Sequence, residues 1–224
     1  MSRVVVFGVG KTADVVDHQL TVDSPHEVVA FAVDAAHHHG GDRHRDRPVV
    51  VADDLEATFP PGEVQLFVAI GYQQLNRARS ERMEQLAGRG YEFATYVCSA
   101  IDRSALSVGA NCFVMGPDAV QPGAELGDDV FVWGGAVVAH HCVVGDHTWV
   151  ASGAVIAGGT SLGERCFVGA NATVGHELTL GARTFVGAGA LVTSSLADGS
   201  VVVSEPSNTL GVDSERFWRV SGLG

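Results

Sequence analysis

The sequence predicts two architectures in one chain: an α/β domain with a parallel sheet over residues 1–100, and a parallel β-helix over residues 101–200. Two observations predict them. Up to about Ala100, short apolar runs alternate with polar, helix-like segments. From Val108 onward every sixth residue is Val, Leu or Ile, fifteen times in succession to Val192.

In the first half, Val4–Phe7, Val28–Val33, Val49–Val51 and Leu66–Ile70 read as short buried strands. Thr12–Leu20 and Leu75–Arg89 read as helices between them. Strands alternating with helices predict a parallel sheet with crossover connections.

In the second half neither an α-helix nor a hairpin array keeps a period of six over ninety residues, so the repeat is that of a parallel β-helix. Three hexads make one triangular coil, and five coils stack to about 24 Å. The aliphatic first position and the small fifth position (Cys112, Cys142 and Cys166 among them) point inward. Those cysteines are core fillers. Glycine follows the aliphatic residue in eight hexads, where it helps the corners. Residues eighteen apart lie above one another, so Phe113, Phe131, Trp149, Phe167 and Phe185 form one outward column. Such a strip marks an interface, either with another subunit or with the first domain. The alternative is cover from a C-terminal tail, residues 201–224, through Phe217 and Trp218. That tail is expected to pack on the β-helix or on a neighbouring subunit.

Composition narrows the function classes. The net charge of −12 carries no basic stripe, which argues against nucleic acid as a partner. No apolar run reaches the roughly 18 residues of a membrane span, so no membrane insertion is expected. MSRVVVFGVG lacks the build of a signal peptide, and a cytoplasmic location is expected. No C-x₂-C pair points to zinc.

Gly8-Val9-Gly10-Lys11-Thr12-Ala13 follows a strand and opens a helix, where glycines let the backbone approach a phosphate at a helix N-terminus. Asp34 ends the second strand, where a Rossmann-like fold often places a ribose-binding acid. With only about a hundred residues before the repeat and no second mononucleotide half, a nicotinamide cofactor is not expected. The run His37-His38-His39 lies in a Gly- and Arg-rich stretch and reads as a solvated or lid loop, not a metal site.

The stretches VVVFGVGKTADVV, EVVAFAVD, FVAIGYQQLNRAR, HHCVVGDHTWVASGAVIAGG and FVGAGALV together resemble the NeuD/PglD-like sugar acyltransferases. The resemblance spans nearly the whole chain. It implies a left-handed β-helix and a homotrimer that moves an acetyl group from acetyl-CoA, a co-substrate, to a nucleotide-linked sugar for cell-surface glycan synthesis. It also implies that the first domain holds the nucleotide sugar, with Gly8, Gly10, Lys11, Asp34, Gly71, Tyr72, Asn76 and Arg79 as candidates.

Acyl transfer needs a base for the attacking group and a donor for the oxyanion. The family's base is the histidine of a His-Glu pair, and His140-His141 stands at that position, so His140 inherits the base role. His141 replaces the carboxylate, so another acid, such as Asp146 or one from an adjacent subunit, would have to serve. A further family histidine aligns with Trp149, and His147 lies two residues before it. His176 stacks two coils above His140, with Gly158 between. A bare Gly158 leaves a slot beside His140 for a thin pantetheine arm. Trp149, Gly153, Gly158, Gly159, Gly187, Ala188 and Gly189 are candidates for acetyl-CoA contact. No metal is expected. A γ-type carbonic anhydrase needs an H-x₄-H spacing that His140, His141 and His147 do not provide. N-acylation, O-acylation and a non-catalytic sugar-binding scaffold remain open, with a slight tilt to N-acylation.

Overall fold

The computed structural model describes residues 2–38 and 43–221. His39 of the histidine run lies outside them, while His37 ends a short 3₁₀ turn at Ala35–His37.

The first domain comprises β1 (Arg3–Phe7), α1 (Lys11–Val22), β2 (Glu27–Val33), β3 (Arg43–His44), β4 (Arg47–Val51), α2 (Leu55–Thr58), β5 (Gln65–Val68) and α3 (Arg77–Gly88). The sheet order is β3-β4-β2-β1-β5, parallel except for β3 at the edge. β1 reads RVVVF without alternation because helices cover both faces of the sheet, and Val4, Val5 and Val6 are fully buried. α1 turns Ala13, Val16 and Leu20 inward, at the spacing of one helix face. The chain leaves β1 toward β2 on one side and returns to β5 on the other. The switch point therefore lies between β1 and β5, where open α/β sheets bind ligands.

The second half is a three-sided prism. Every predicted aliphatic position except Val120 falls in a two-residue strand, and Val120 still bridges Val138. Strands stack in parallel at a separation of eighteen residues, as in Phe131 with Trp149 and Val137 with Val155. We call the column Phe113–Phe185 the docking face, the column through Val137, Val155 and Leu191 the second face, and the column through Glu125, Val143 and Ser161 the third face. The prism begins with Tyr96–Val97 and ends with Val201–Val202, both on the docking face. Val138, Cys142, Val150 and Ala154 are among its fully buried interior residues.

The corners differ from the expectation. The turn is made at the fourth hexad position, where Asn111, Asp129, His141, His147, Arg165 and Asn171 all have φ between 54° and 60°. Glycines at the second position serve close stacking instead. A Cβ on Gly145 would lie 2.6 Å from the backbone of Gly163 in the coil above.

The aromatic column packs on the first domain of its own chain. Phe67 of β5 meets Phe113 and Phe131 edge-on, with ring centroids 6.3 and 6.0 Å apart. Asn111 both accepts from the Val68 amide and donates to the Val68 carbonyl, continuing the sheet's pairing across the seam. The tail does not cover this face. Its helix α4 (Ser214–Val220) buries no residue on the chain, and Phe217 and Trp218 stay exposed.

Candidate active site

His140 and His141 occupy the edge joining the second and third faces, between strands Val137–Val138 and Val143–Val144. Both are exposed. Their Nδ1 atoms are 3.1 Å apart, and their rings meet edge to face with centroids at 5.3 Å. The Gln121 side-chain oxygen accepts from the His140 amide. The His140 ring lies over Gly158, where an added Cβ would sit 2.5 Å from Cε1 and 2.7 Å from Nε2. The His141 ring lies over Gly123 in the same way, 3.0 Å from such a Cβ. The room expected for a pantetheine arm is thus filled by the imidazole. Bare Gly158 lets the His140 ring lie against the corner above it.

At the other end, Gly8 has φ 129°, and a Cβ there would press within 3.1 Å of the Ala69 carbonyl. Glycine is required, and it brings the β1 loop against the β5 loop at the switch point. Gly10 caps α1 with no side-chain bond to the helix and with open space around its Cα. The first-turn amides and Lys11 are thereby left toward an anion. Gly71 follows β5 in the same crevice, and Asp34 follows β2. Asp34 is not free, because it forms an ion pair with Arg82 at 2.7 Å. Asp14, in the first turn of α1, pairs with His44 at 2.7 Å.

The prism matches two repeat families. The bacterial transferase hexapeptide model matches residues 123–158 and 141–176. The hexapeptide repeat of succinyl-transferase matches residues 105–139 and 159–194. No curated protein matches the chain. Among solved structures, the acetyltransferase domain of PglB from Neisseria gonorrhoeae is 26% identical, with TM-score 0.80, over 94% of this chain and 100% of that one. PerB from Caulobacter crescentus, seen with CoA and GDP-perosamine, is 28% identical, with TM-score 0.78, over 94% of this chain and 98% of that one. Further structures of that perosamine N-acetyltransferase carry a single histidine replaced by Asn or by Ala.

The prism is built of transferase hexapeptide repeats, and the chain is similar along nearly its whole length to solved sugar acetyltransferases.

Several site candidates of the acyltransferase lie elsewhere than the sequence suggests. Arg79 is fully buried. Its guanidinium binds both Asp129 carboxylate oxygens at 2.8 Å and stacks over the Phe131 ring at 4.4 Å. Asn76, also fully buried, donates to the Cys166 carbonyl at 3.1 Å. Both belong to the domain seam and neither can reach a substrate. Trp149 is stacked on Phe131 at 5.2 Å and capped by Tyr72 at 5.3 Å, within the aromatic column. Tyr72 remains 55% exposed while resting on Trp149 and Phe167. His147 Nδ1 lies 2.9 Å from Asp129, in the same seam network. Asp146 accepts from the Asp128 amide at 2.8 Å and does not serve His140. Gly153, Gly187, Ala188 and Gly189 fall on the edge between the docking and second faces, not on the edge of His140. Gly158 and Gly159 share the His140 edge, as does His176 one coil above them.

Sequence reading missed Gln121 and Gly123. The signal was available, since Gly123 is eighteen residues before His141 just as Gly158 is eighteen after His140. Among the described residues no cluster of three metal-ligating side chains occurs, and no helix is long and apolar enough to cross a membrane.

Proposed function

We propose that the protein moves an acetyl group from acetyl-CoA to the amino group of a nucleotide-linked sugar, in the cytoplasm, for cell-surface glycan synthesis, with His140 as general base. The observation that carries this reading is the exposed His140 imidazole, lying over bare Gly158, in a chain aligned nearly end to end with an enzyme seen with CoA and GDP-perosamine.

The nucleoside diphosphate would lie at the carboxyl ends of β1 and β5. The Gly8–Gly10 turn brings the first-turn amides of α1 to the phosphates, the Gly8 amide itself being held by the Ala32 carbonyl, and Lys11 adds a cation. The thioester arm would run along the His140 edge, outside the imidazole that fills the space over Gly158. The sugar amine attacks the thioester carbonyl, and Nε2 of His140 takes the proton the nitrogen sheds. The C–S bond then breaks, and that proton goes to the leaving sulfur. An amine is already nucleophilic and needs only this late deprotonation, which a neutral imidazole can supply.

One chain holds the two ends of this reaction apart. The first domain covers the docking face, and His140 is on the opposite edge of the prism. A second copy must bring a sugar-binding domain to that edge. The outward column of the second face, with Val155 37% and Leu191 64% exposed, supplies an apolar surface for a homotrimer.

The test is thiol release and product mass with acetyl-CoA and a panel of nucleotide-linked sugars, in amino and hydroxyl forms. The expectation is an N-acetylated product, lost in His140→Ala. Wild-type turnover in His140→Ala refutes the base, and product from hydroxyl sugars alone refutes N-acylation.

A further inference from the structure

We propose that His141 is a positioning residue that fixes the tautomer of His140, a neutral imidazole doing the work a carboxylate would do. This rests on His140 being the base.

The edge around His140 offers it nothing else. Among the described residues, the side chain bonded to its ring is that of His141 alone, Nδ1 to Nδ1 at 3.1 Å. The corner below reads Gln121-Pro122-Gly123 and the corner above reads Ala157-Gly158-Gly159, with no charge in either. The next titratable groups on this edge are His176 and Glu177, one coil further, and on the flanking third face Glu125 pairs beneath Val143. Of the acids considered for the role, Asp146 is committed to the Asp128 amide.

Two facing Nδ1 atoms can share only one proton in a hydrogen bond. If His140 donates, its Nε2 carries no hydrogen and is ready to accept. When it has accepted, the imidazolium keeps a charge-assisted bond to neutral His141. If His141 gains the proton first, it donates instead, and His140 is left with hydrogen on Nε2 and cannot act as a base. One added proton on the pair, wherever it sits, stops the reaction.

The local backbone supports the placement. His141 is held at φ 58°, a conformation in which histidine is among the more tolerated side chains. The bare Gly123 beneath leaves room for its ring.

His141→Gly separates positioning from packing, because glycine takes φ 58° without strain and other corners, Gly135, Gly153 and Gly159 among them, already use it. The expected result is an unchanged or raised Tm with kcat lowered about tenfold or more and KM little changed. His141→Glu should move the acid limb of kcat/KM upward by about one pH unit, since an adjacent carboxylate favours imidazolium. Ring ¹⁵N NMR of the wild-type protein at pH 8 needs no substrate, and it should report His140 protonated at Nδ1 and bare at Nε2. Wild-type kcat in His141→Gly, an unmoved acid limb in His141→Glu, or His140 protonated at Nε2 overturns the proposal. If His140→Ala is inactive while both His141 variants behave as wild type, His140 stands as the base and the His141 role alone fails.

Discussion

Gly158→Ala isolates the geometry of the base from the stability of the fold. An added Cβ would stand 2.5 Å from Cε1 and 2.7 Å from Nε2 of His140. Ordinary carbon contacts begin near 3.4 Å, so the ring must retreat by about 0.9 Å. The backbone at Gly158 is not left-handed, so alanine adds no strain there. His140 is exposed and its ring can swing outward without disturbing the core. Stability should therefore hold within about 1 kcal/mol, with some gain from a stiffer unfolded chain. Displacing a reacting group by about an ångström costs on the order of 100-fold in turnover. Thiol release at saturating acetyl-CoA and acceptor, with a thermal melt alongside, reads both quantities. Wild-type kcat in a folded Gly158→Ala protein would refute catalysis by His140 from this position.

Three further outcomes follow from the same coordinates. Arg79→Leu leaves Asp129 buried with only Asn111 and His147 as side-chain partners, and should cost about 3–5 kcal/mol, seen as a large drop in Tm; adding Asp129→Asn should restore part of it. Thiol titration of the native protein should find at most one reactive cysteine, half-buried Cys98, against four in denaturant, because burial pushes the Cys112 thiol up to about 12 and raises Cys142 and Cys166 as well. Hydrogen bonds from Ser99 and the Tyr96 hydroxyl hold Asp23 below its usual range. Its folded pKa is depressed, so its stabilisation is present at neutral pH and lost as pH falls below 3.8; melts from pH 5 to 2 should see Asp23→Asn converge on wild type at the acid end.

The fold was legible because its two periods are local properties of the chain. A six-residue ladder admits one architecture, and stacking at eighteen placed Gly158 beside His140 before any coordinates. The seam was not legible. Asn76 and Arg79 follow a sugar-binding crevice in sequence and carry the polar groups a ligand would want, yet α3 turns them onto the prism. Only pairing Arg79 with Asp129, a corner acid fifty residues away beside the aromatic column, could have revealed this. Trp149 reads two ways for a related reason: its alignment with a family histidine speaks for a ligand, while its place in the column speaks for packing, and the structure shows it packed on Phe131. Strained corners escaped notice because glycine is conspicuous in a sequence, whereas Asn, Asp, His and Arg at φ near 55° are not.

The aromatic column also bears on how the prism finds its own alignment while folding. A slip of one residue would carry core aliphatics out of the interior and is excluded at once. A slip of six is another matter, since each hexad offers an aliphatic residue and a tolerant corner to its neighbour. Interior and corners repeat every six residues and cannot tell one face from the next. The run Phe113, Phe131, Trp149, Phe167, Phe185 repeats every eighteen, and only when Phe113 and Phe131 share a face does Phe67 find its socket between them. The first domain thus acts as a template, selecting among alignments the repeat alone would accept.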